Sequence, residues 1–309
     1  MKKINFLFKN VCYFSVFIIF ILLFLCLRIW QLFFLTNLDS GMCYEFKMFD
    51  LIYIICFITF YLISLIFFRF IKKPELSSFD FVKNNYFLGI HIILFSVIFF
   101  AISFIILFDV KNKFSVSPIF NLLFFLTGLF VAISLFYLSL NIFNNKKSYK
   151  NAFSLVFFSL FFWFTIRLMN LFLDNLFLKF AKTEYCLMVV GLIMMYMFIF
   201  NLGQINLNIY EVTNKIKTKS NFMVYGFCGV FIVFSNVLSK LILTIYVMFK
   251  NINITSNYFQ QNLNILNVHN FCLADFLITI LIFYLLIFSF YSNKKSINKN
   301  INLNVKEVN

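Results

Sequence analysis

YFLGIHIILFSVIFFAISFIILF, the stretch from Tyr86 to Phe108, carries no formal charge, and His91 is its only residue that titrates near neutrality. About 20 apolar residues in a helix cross the roughly 30 Å hydrocarbon core of a bilayer. A strand buried on one face would alternate apolar and polar residues, and this stretch does not. Lipid offers no hydrogen bonds, so a segment of this kind has to pair its backbone groups within itself, as a helix does. The stretch therefore predicts a membrane-spanning helix.

Seven further runs of the same kind lie on either side, at 11–35, 48–70, 115–140, 152–174, 185–207, 222–249 and 270–290. The expected fold is an all-α membrane protein, a bundle of about eight transmembrane helices. One membrane domain would cover 1–309, ending in a polar cytoplasmic tail at 291–309. Composition agrees. Of 309 residues 63% are hydrophobic and 12% charged, against about half and a quarter in a soluble domain. Fifty-two residues are phenylalanine, and two prolines and seven glycines leave few helix breakers. The surplus apolar surface has to face lipid. The first run is too long for a signal-peptide core and is expected to be retained as a helix.

A net charge of +15 invites a nucleic-acid reading, but the lysines sit in short loops between apolar runs. There they anchor and orient the chain in an anionic membrane. Lys2, Lys3, Lys9, Arg69, Lys72, Lys73, Lys83, Lys146, Lys147, Lys150, Lys215, Lys217, Lys219, Lys294, Lys295, Lys299 and Lys306 fall on one side. Lys47, Lys111, Lys113, Lys179, Lys182 and Lys250 fall on the other. Seventeen against six, alternating loop by loop, predicts a plasma-membrane protein with both termini cytoplasmic.

The seven cysteines show no paired C-x-x-C spacing, and most lie in apolar runs, where cysteine acts as a small hydrophobe. The sequence has no phosphate-binding Gly-rich loop, no H-E-x-x-H, no G-x-S-x-G and no acidic cluster fit for a metal. Its two histidines, His91 and His269, lie far apart. His91 reads as structural, and no cofactor is expected. Gly226-x-x-Gly229 lacks the small-xxx-small spacing, and close helix contact is the simplest account of it.

What remains unusual is polar residues inside the runs. The first run ends Leu27-Arg28-Ile-Trp30-Gln31-Leu32, with Asp39 and Glu45 beyond; the fifth ends Ile166-Arg167-Leu-Met-Asn170-Leu171, with Asp174 and Glu184 beyond. One shift of 139 residues carries Arg28, Gln31 and Glu45 onto Arg167, Asn170 and Glu184. It also aligns the first three runs with the fifth to seventh. Two parallel four-helix repeats, 11–140 and 151–290, would follow, their pseudo-twofold axis along the membrane normal. Arg28 with Gln31, and Arg167 with Asn170, fall one turn apart on a helix face. A buried arginine costs several kcal/mol unless it snorkels or finds a partner. Three roles are open: snorkelling to the interface, pinning a helix hairpin through the following acid, or binding a ligand. Lys240 lies in Ser235-Asn236-Val-Leu-Ser239-Lys240, and Asp275 opens the eighth run. These two could pair across the same outer end, and Asp50 and Asp109 also sit at outer boundaries.

The stretch Arg28-Ile-Trp-Gln31-Leu-Phe-Phe-Leu-Thr-Asn-Leu-Asp39-Ser-Gly41-Met resembles a loosely defined group of uncharacterised multi-span proteins of clostridia and related Firmicutes. Those tend to show Arg-x-x-Gln and then Asp-x-x-Thr-Gly-Phe at the outer end of the first helix. Here Ser40 and Met42 stand in place of Thr and Phe. The resemblance implies class and compartment and carries no activity.

For function, the leading expectation is a non-enzymatic, transporter-like or small-ligand-binding protein with an outward-facing polar site. Arg28, Gln31, Glu45, Arg167, Asn170, Glu184, Lys240 and Asp275 would line it, and an anionic group held by the two arginines would fill it. The alternative is a structural or sensory protein that organises partners or lipids. A membrane-embedded enzyme comes third, with Glu45, Asp50, Glu184 or Asp275 as its acids. The expected partners are the lipid bilayer and a further membrane protein, with no nucleic acid.

Reporter fusions test the orientation. Those after Lys73, Lys147, Lys217 and Lys299 should report cytoplasm, and those near Gly41, Lys111, Lys182 and Asn257 the outside. Two or more reversed fusions would overturn the eight-span topology.

Overall fold

The computed structural model of the chain describes residues 2–35, 47–71, 86–108, 118–144, 149–173, 182–207, 215–250, 273 and 275–287. The described residues are almost entirely helical, with no strand among them. Helix α1 (Lys2–Trp30) continues into a wider π turn at Gln31–Leu35, and α2 (Lys47–Ile66) into another at Phe67–Ile71. Then come α3 (Tyr86–Phe108), α4 (Pro118–Phe143), α5 (Tyr149–Leu173), α6 (Lys182–Leu207) and α7 (Lys215–Lys250). The last described helix, α8, is Asp275–Ile287.

Helices α1 to α7 are each long and apolar enough to cross a membrane. This is an integral membrane protein of the multi-pass helical class. The described part of α8 is apolar but only about 20 Å long at 1.5 Å per residue, so the full eighth run expected over 270–290 lies partly outside the described residues. Helix α4 opens on Pro118, where a missing N–H costs nothing because the first turn has no partner for it. Helix α7 starts earlier than the apolar run at 222 predicts. Lys215, Lys217 and Lys219, which read as loop lysines in the sequence, belong to its first turns. Lysine is a good helix former, so a span can wind on past the edge of the apolar run.

Successive helices alternate in direction. Ser134 and Ser159 join α4 to α5 through hydroxyls 2.7 Å apart, and the Ser96 hydroxyl donates to the Ala132 carbonyl at 2.8 Å between α3 and α4. Helix α7 is the hub, packing on α1, α2 and α6. From Phe222 to Val233 every residue but Tyr225 is buried, the all-round burial of a central helix. Aromatic rings make most of the fit. Phe17, Tyr13 and Phe68 surround Phe227 with centroids 4.9, 5.2 and 5.6 Å away. Phe24 and Phe60 meet Phe231 at 4.8 and 4.7 Å. Each such pair is worth about 0.5–1.5 kcal/mol beyond the area it buries.

Helix α8 is threaded into the interior. None of its described residues is exposed, and Asp275, Thr279 and Leu286 are sealed completely. Its rings and methyls touch α1 at Phe17–Phe283 and α7 at Phe234–Phe276. Helices α1 and α2, by contrast, turn Ile18, Ile19, Leu22, Ile54, Ile55 and Ile58 outward.

Two glycines of α7 permit the close approach of its neighbours. A Cβ on Gly226 would stand 2.7 Å from the Phe198 ring and 2.9 Å from a Leu286 methyl, and one on Gly229 would stand 3.1 Å from Met195. Gly128 of α4 is as confined, between Ser103 and the Trp163 ring. Gly203 of α6 has open space. Gly226→Ala and Gly128→Ala should each lower stability in detergent by about 1–3 kcal/mol, the usual range for overpacking. Gly203→Ala should be neutral or slightly stabilising, since alanine is the better helix former. Equal melting temperatures for all three variants would contradict this packing.

Candidate functional site

A membrane bundle this apolar should hold few buried polar side chains, so their placement is informative. Arg28, Gln31, Arg167, Asn170, Asn236, Lys240 and Asp275 are all at most 6% exposed. Ring contacts set their level. Phe24 lies against Phe231, and beyond it Phe33 lies against Tyr246. Helices α1 and α7 therefore run parallel, and Arg28 stands level with Ser235–Lys240. Phe276 beside Phe234, with Leu286 beside Gly226, makes α8 antiparallel to α7 and puts Asp275 level with Asn236. One level of the bundle, near the ends of α1 and α5 and beside Asn236 to Lys240 of α7, thus carries a polar layer.

Within the layer, the Arg28 guanidinium donates through Nη1 to the Gln31 side-chain carbonyl, one turn further along α1. Gln31 begins the π turn that ends the helix. Wide turns of this kind are often found at functional sites. Arg167 Nη1 donates to Asp275 Oδ1 at 2.6 Å, a fully enclosed ion pair between α5 and α8. The Thr279 hydroxyl donates to the Asp275 backbone carbonyl at 3.0 Å and so ties down the first turn of α8. On α7 the Ser235 hydroxyl donates to the Phe231 carbonyl, the Asn236 amide to Ile232 and the Ser239 hydroxyl to Asn236. These groups satisfy themselves on their own helix.

Of the residues expected in the site, Arg28, Gln31, Arg167, Asn170, Lys240 and Asp275 are buried at this level, with Arg28 bonded to Gln31 and Arg167 to Asp275. The acid brought to Arg167 is Asp275, distant in sequence, which the loop spacing alone could not choose over Asp174 or Glu184. Asp39, Glu45, Asp109, Asp174 and His269 lie outside the described residues, and so do the side chains of Asp50 and Glu184. His91 Nδ1 donates to the Phe87 carbonyl of its own helix at 2.8 Å, which gives it a local structural role. Among the described residues no group of His, Cys, Asp and Glu is placed to hold a metal.

The two halves aligned by the 139-residue shift match in the burial of Arg28 with Arg167 and Gln31 with Asn170. Arg28 donates to Gln31 of its own helix, and Arg167 donates to Asp275 of α8.

A second buried polar spot, unmarked by the sequence, lies toward the other end. The Tyr13 and Ser64 hydroxyls are 3.0 Å apart between α1 and α2, beside fully buried Cys228 of α7. Lys219 is also buried at that end. Tyrosines and serines are too common in apolar runs for spacing to single these out. The lysine ladder at 215, 217 and 219 was the one available signal.

Comparison with protein-family models, with curated proteins and with solved structures finds no match.

The Arg167–Asp275 pair makes a sharp prediction. Removing one partner strands a buried charge and should cost about 3–5 kcal/mol, whereas replacing both with apolar residues of similar size is often neutral. Arg167→Ala and Asp275→Asn should each melt well below the parent protein in detergent. Arg167→Lys should recover only part, because lysine lacks the planar fork. The double variant Arg167→Met, Asp275→Leu should melt near the parent. Losses that simply add in the double variant would show that the two side chains act independently.

Proposed function

We propose that the chain is a non-enzymatic, multi-pass protein of the plasma membrane with both termini cytoplasmic, and that it binds a small anion from the external side, in the manner of a transporter or ligand-binding protein. The alternation of lysine-rich and lysine-poor loops supports the orientation. The observation that supports the ligand class is the gathering of cationic side chains with fork-shaped donors in the polar layer, where Arg28, Arg167 and Lys240 are all buried. Lipid on all sides raises the value of any anion that enters such a layer, because the field of each cation is weakly screened. Guanidinium groups favour an oxyanion, which can accept two parallel hydrogen bonds from one fork.

A second proposal belongs to a different class. The Arg167–Asp275 pair ties the start of α8 to α5, which suits a structural or sensory protein whose core organises partners or lipids. A further membrane protein would then be the partner. We also propose that the two halves descend from one four-helix unit, supported by the matched burial of Arg28 with Arg167 and of Gln31 with Asn170. Kinship with the clostridial group rests on Arg28 to Met42.

The ligand reading is tested by melting the detergent-purified protein with acetate, sulfate and phosphate at constant ionic strength. A ligand at 100 times its Kd stabilises by about 2.7 kcal/mol. At least one anion should raise the melting temperature with dose, and Arg28→Gln should abolish the rise. A flat response to the whole panel would leave the structural or sensory proposal.

A further inference from the structure

Arg167 of α5 donates to Asp275 of α8 at 2.6 Å, and both side chains are sealed. A guanidinium in such a place cannot be left without an acceptor, because removing one partner of a buried ion pair is strongly destabilising. It can only pass from one acceptor to another. The acceptor it holds here is the carboxylate of a side chain, so the position beside Arg167 already suits a planar group with a single negative charge. A sulfate dianion would bring more charge into the same enclosed space, at a higher cost of desolvation.

Asp275 has a second cation at its own level. It lies level with Asn236 of α7, and Lys240 follows Asn236 by one turn on the same helix face. Lys240 is buried too. Around Asp275 the backbone is wound by other means than the ion pair. The Thr279 hydroxyl donates to the Asp275 carbonyl at 3.0 Å and to the Phe276 carbonyl at 2.7 Å. Phe276 on Phe234, Leu286 on Gly226 and Phe283 on Phe17 hold α8 to α7 and α1. The Asp275 side chain can therefore let go of α5 without undoing those contacts.

We propose that Asp275 is the resident occupant of a carboxylate site. A small monocarboxylate entering from the external side takes Arg167 from Asp275, and Asp275 passes to Lys240. This rests on the anion-binding reading above and gives it a ligand class and a response. Arg167 keeps an acceptor throughout, and only hydrogen bonds and ion pairs are exchanged. Binding loosens α8 from α5, and the competition with Asp275 lowers the apparent affinity of the ligand.

Acetate is the probe, compared with chloride and sulfate at equal ionic strength on the full chain in detergent. Hydrogen exchange over 275–287, followed by mass spectrometry, reads the fastening, because amides exchange when a segment opens locally. In saturating acetate, exchange over 275–280 should quicken by about threefold or more, and in sulfate it should stay as in chloride. A purely structural pair predicts no effect of acetate on exchange in the parent protein. Asp275→Asn removes the competitor, so its Kd for acetate should fall by about tenfold or more. If that variant does not assemble, exchange in the parent decides alone. Acetate that raises the parent's melting temperature with dose but leaves exchange over 275–280 unchanged or slowed would overturn the proposal and leave the anion reading standing. An Asp275→Asn Kd equal to the parent's would do the same. No anion bound by either protein would remove both.

Discussion

An apolar side chain gains nothing by leaving a lipid tail for another side chain, so helices in a membrane must be held together by fit and by polar contacts. Every feature of this bundle answers to that constraint. Helix α7 is gripped on all sides by rings, with Phe227 and Phe231 at the centres of two clusters. Gly226 lets Phe198 of α6 and Leu286 of α8 come close to α7, and Gly229 does the same for Met195 of α6. Between α3, α4 and α5 the fit comes from two serine contacts and from Trp163, seated on Gly128 and against the rings of Phe99 and Phe124.

The same constraint makes charge expensive and therefore local. Lone polar groups on α7 close onto their own backbone, as Asn236 and Ser239 do. A guanidinium cannot be satisfied that way, and Arg167 reaches across to α8. The short described stretch of α8 depends on this pair and on Thr279 at its start, and on Leu286 against Gly226 near its end. Its interior position follows, because a sealed carboxylate on a helix has to sit where a cation meets it. The layer that results is both a fastening and a gathering of cationic side chains. The two proposed functions weigh those aspects differently.

Phenylalanine serves the lipid-facing surface as well as the core. Phe34, Phe70, Phe87 and Phe158 point outward while Phe24, Phe60, Phe124 and Phe164 are sealed. Composition cannot separate these roles, and within the runs the apolar residues form no clear stripe. A helix apolar all round shows its length in the sequence and hides its inward face. The repeat illustrates the same limit. Spacing pairs Arg28 with Arg167, yet one donates to Gln31 on its own helix and the other to Asp275 on a distant one.

By itself the sequence determined the helical membrane class, the position of seven spans to within a few residues and the set of polar residues out of place in them. Those properties follow from local physics: run length, the self-pairing of backbone in lipid and the price of desolvating a charge. Only the tertiary structure decided that α7 is central, that α8 is buried against α1, α5 and α7, and that Asp275, distant in sequence, meets Arg167. It also decided which lysines are drawn inside, Lys219 among them. The reason is that an apolar run is compatible with any neighbour. Which neighbour it takes depends on how rings, glycines and a few buried polar groups fit together at once, and such fit has no signature along a single chain.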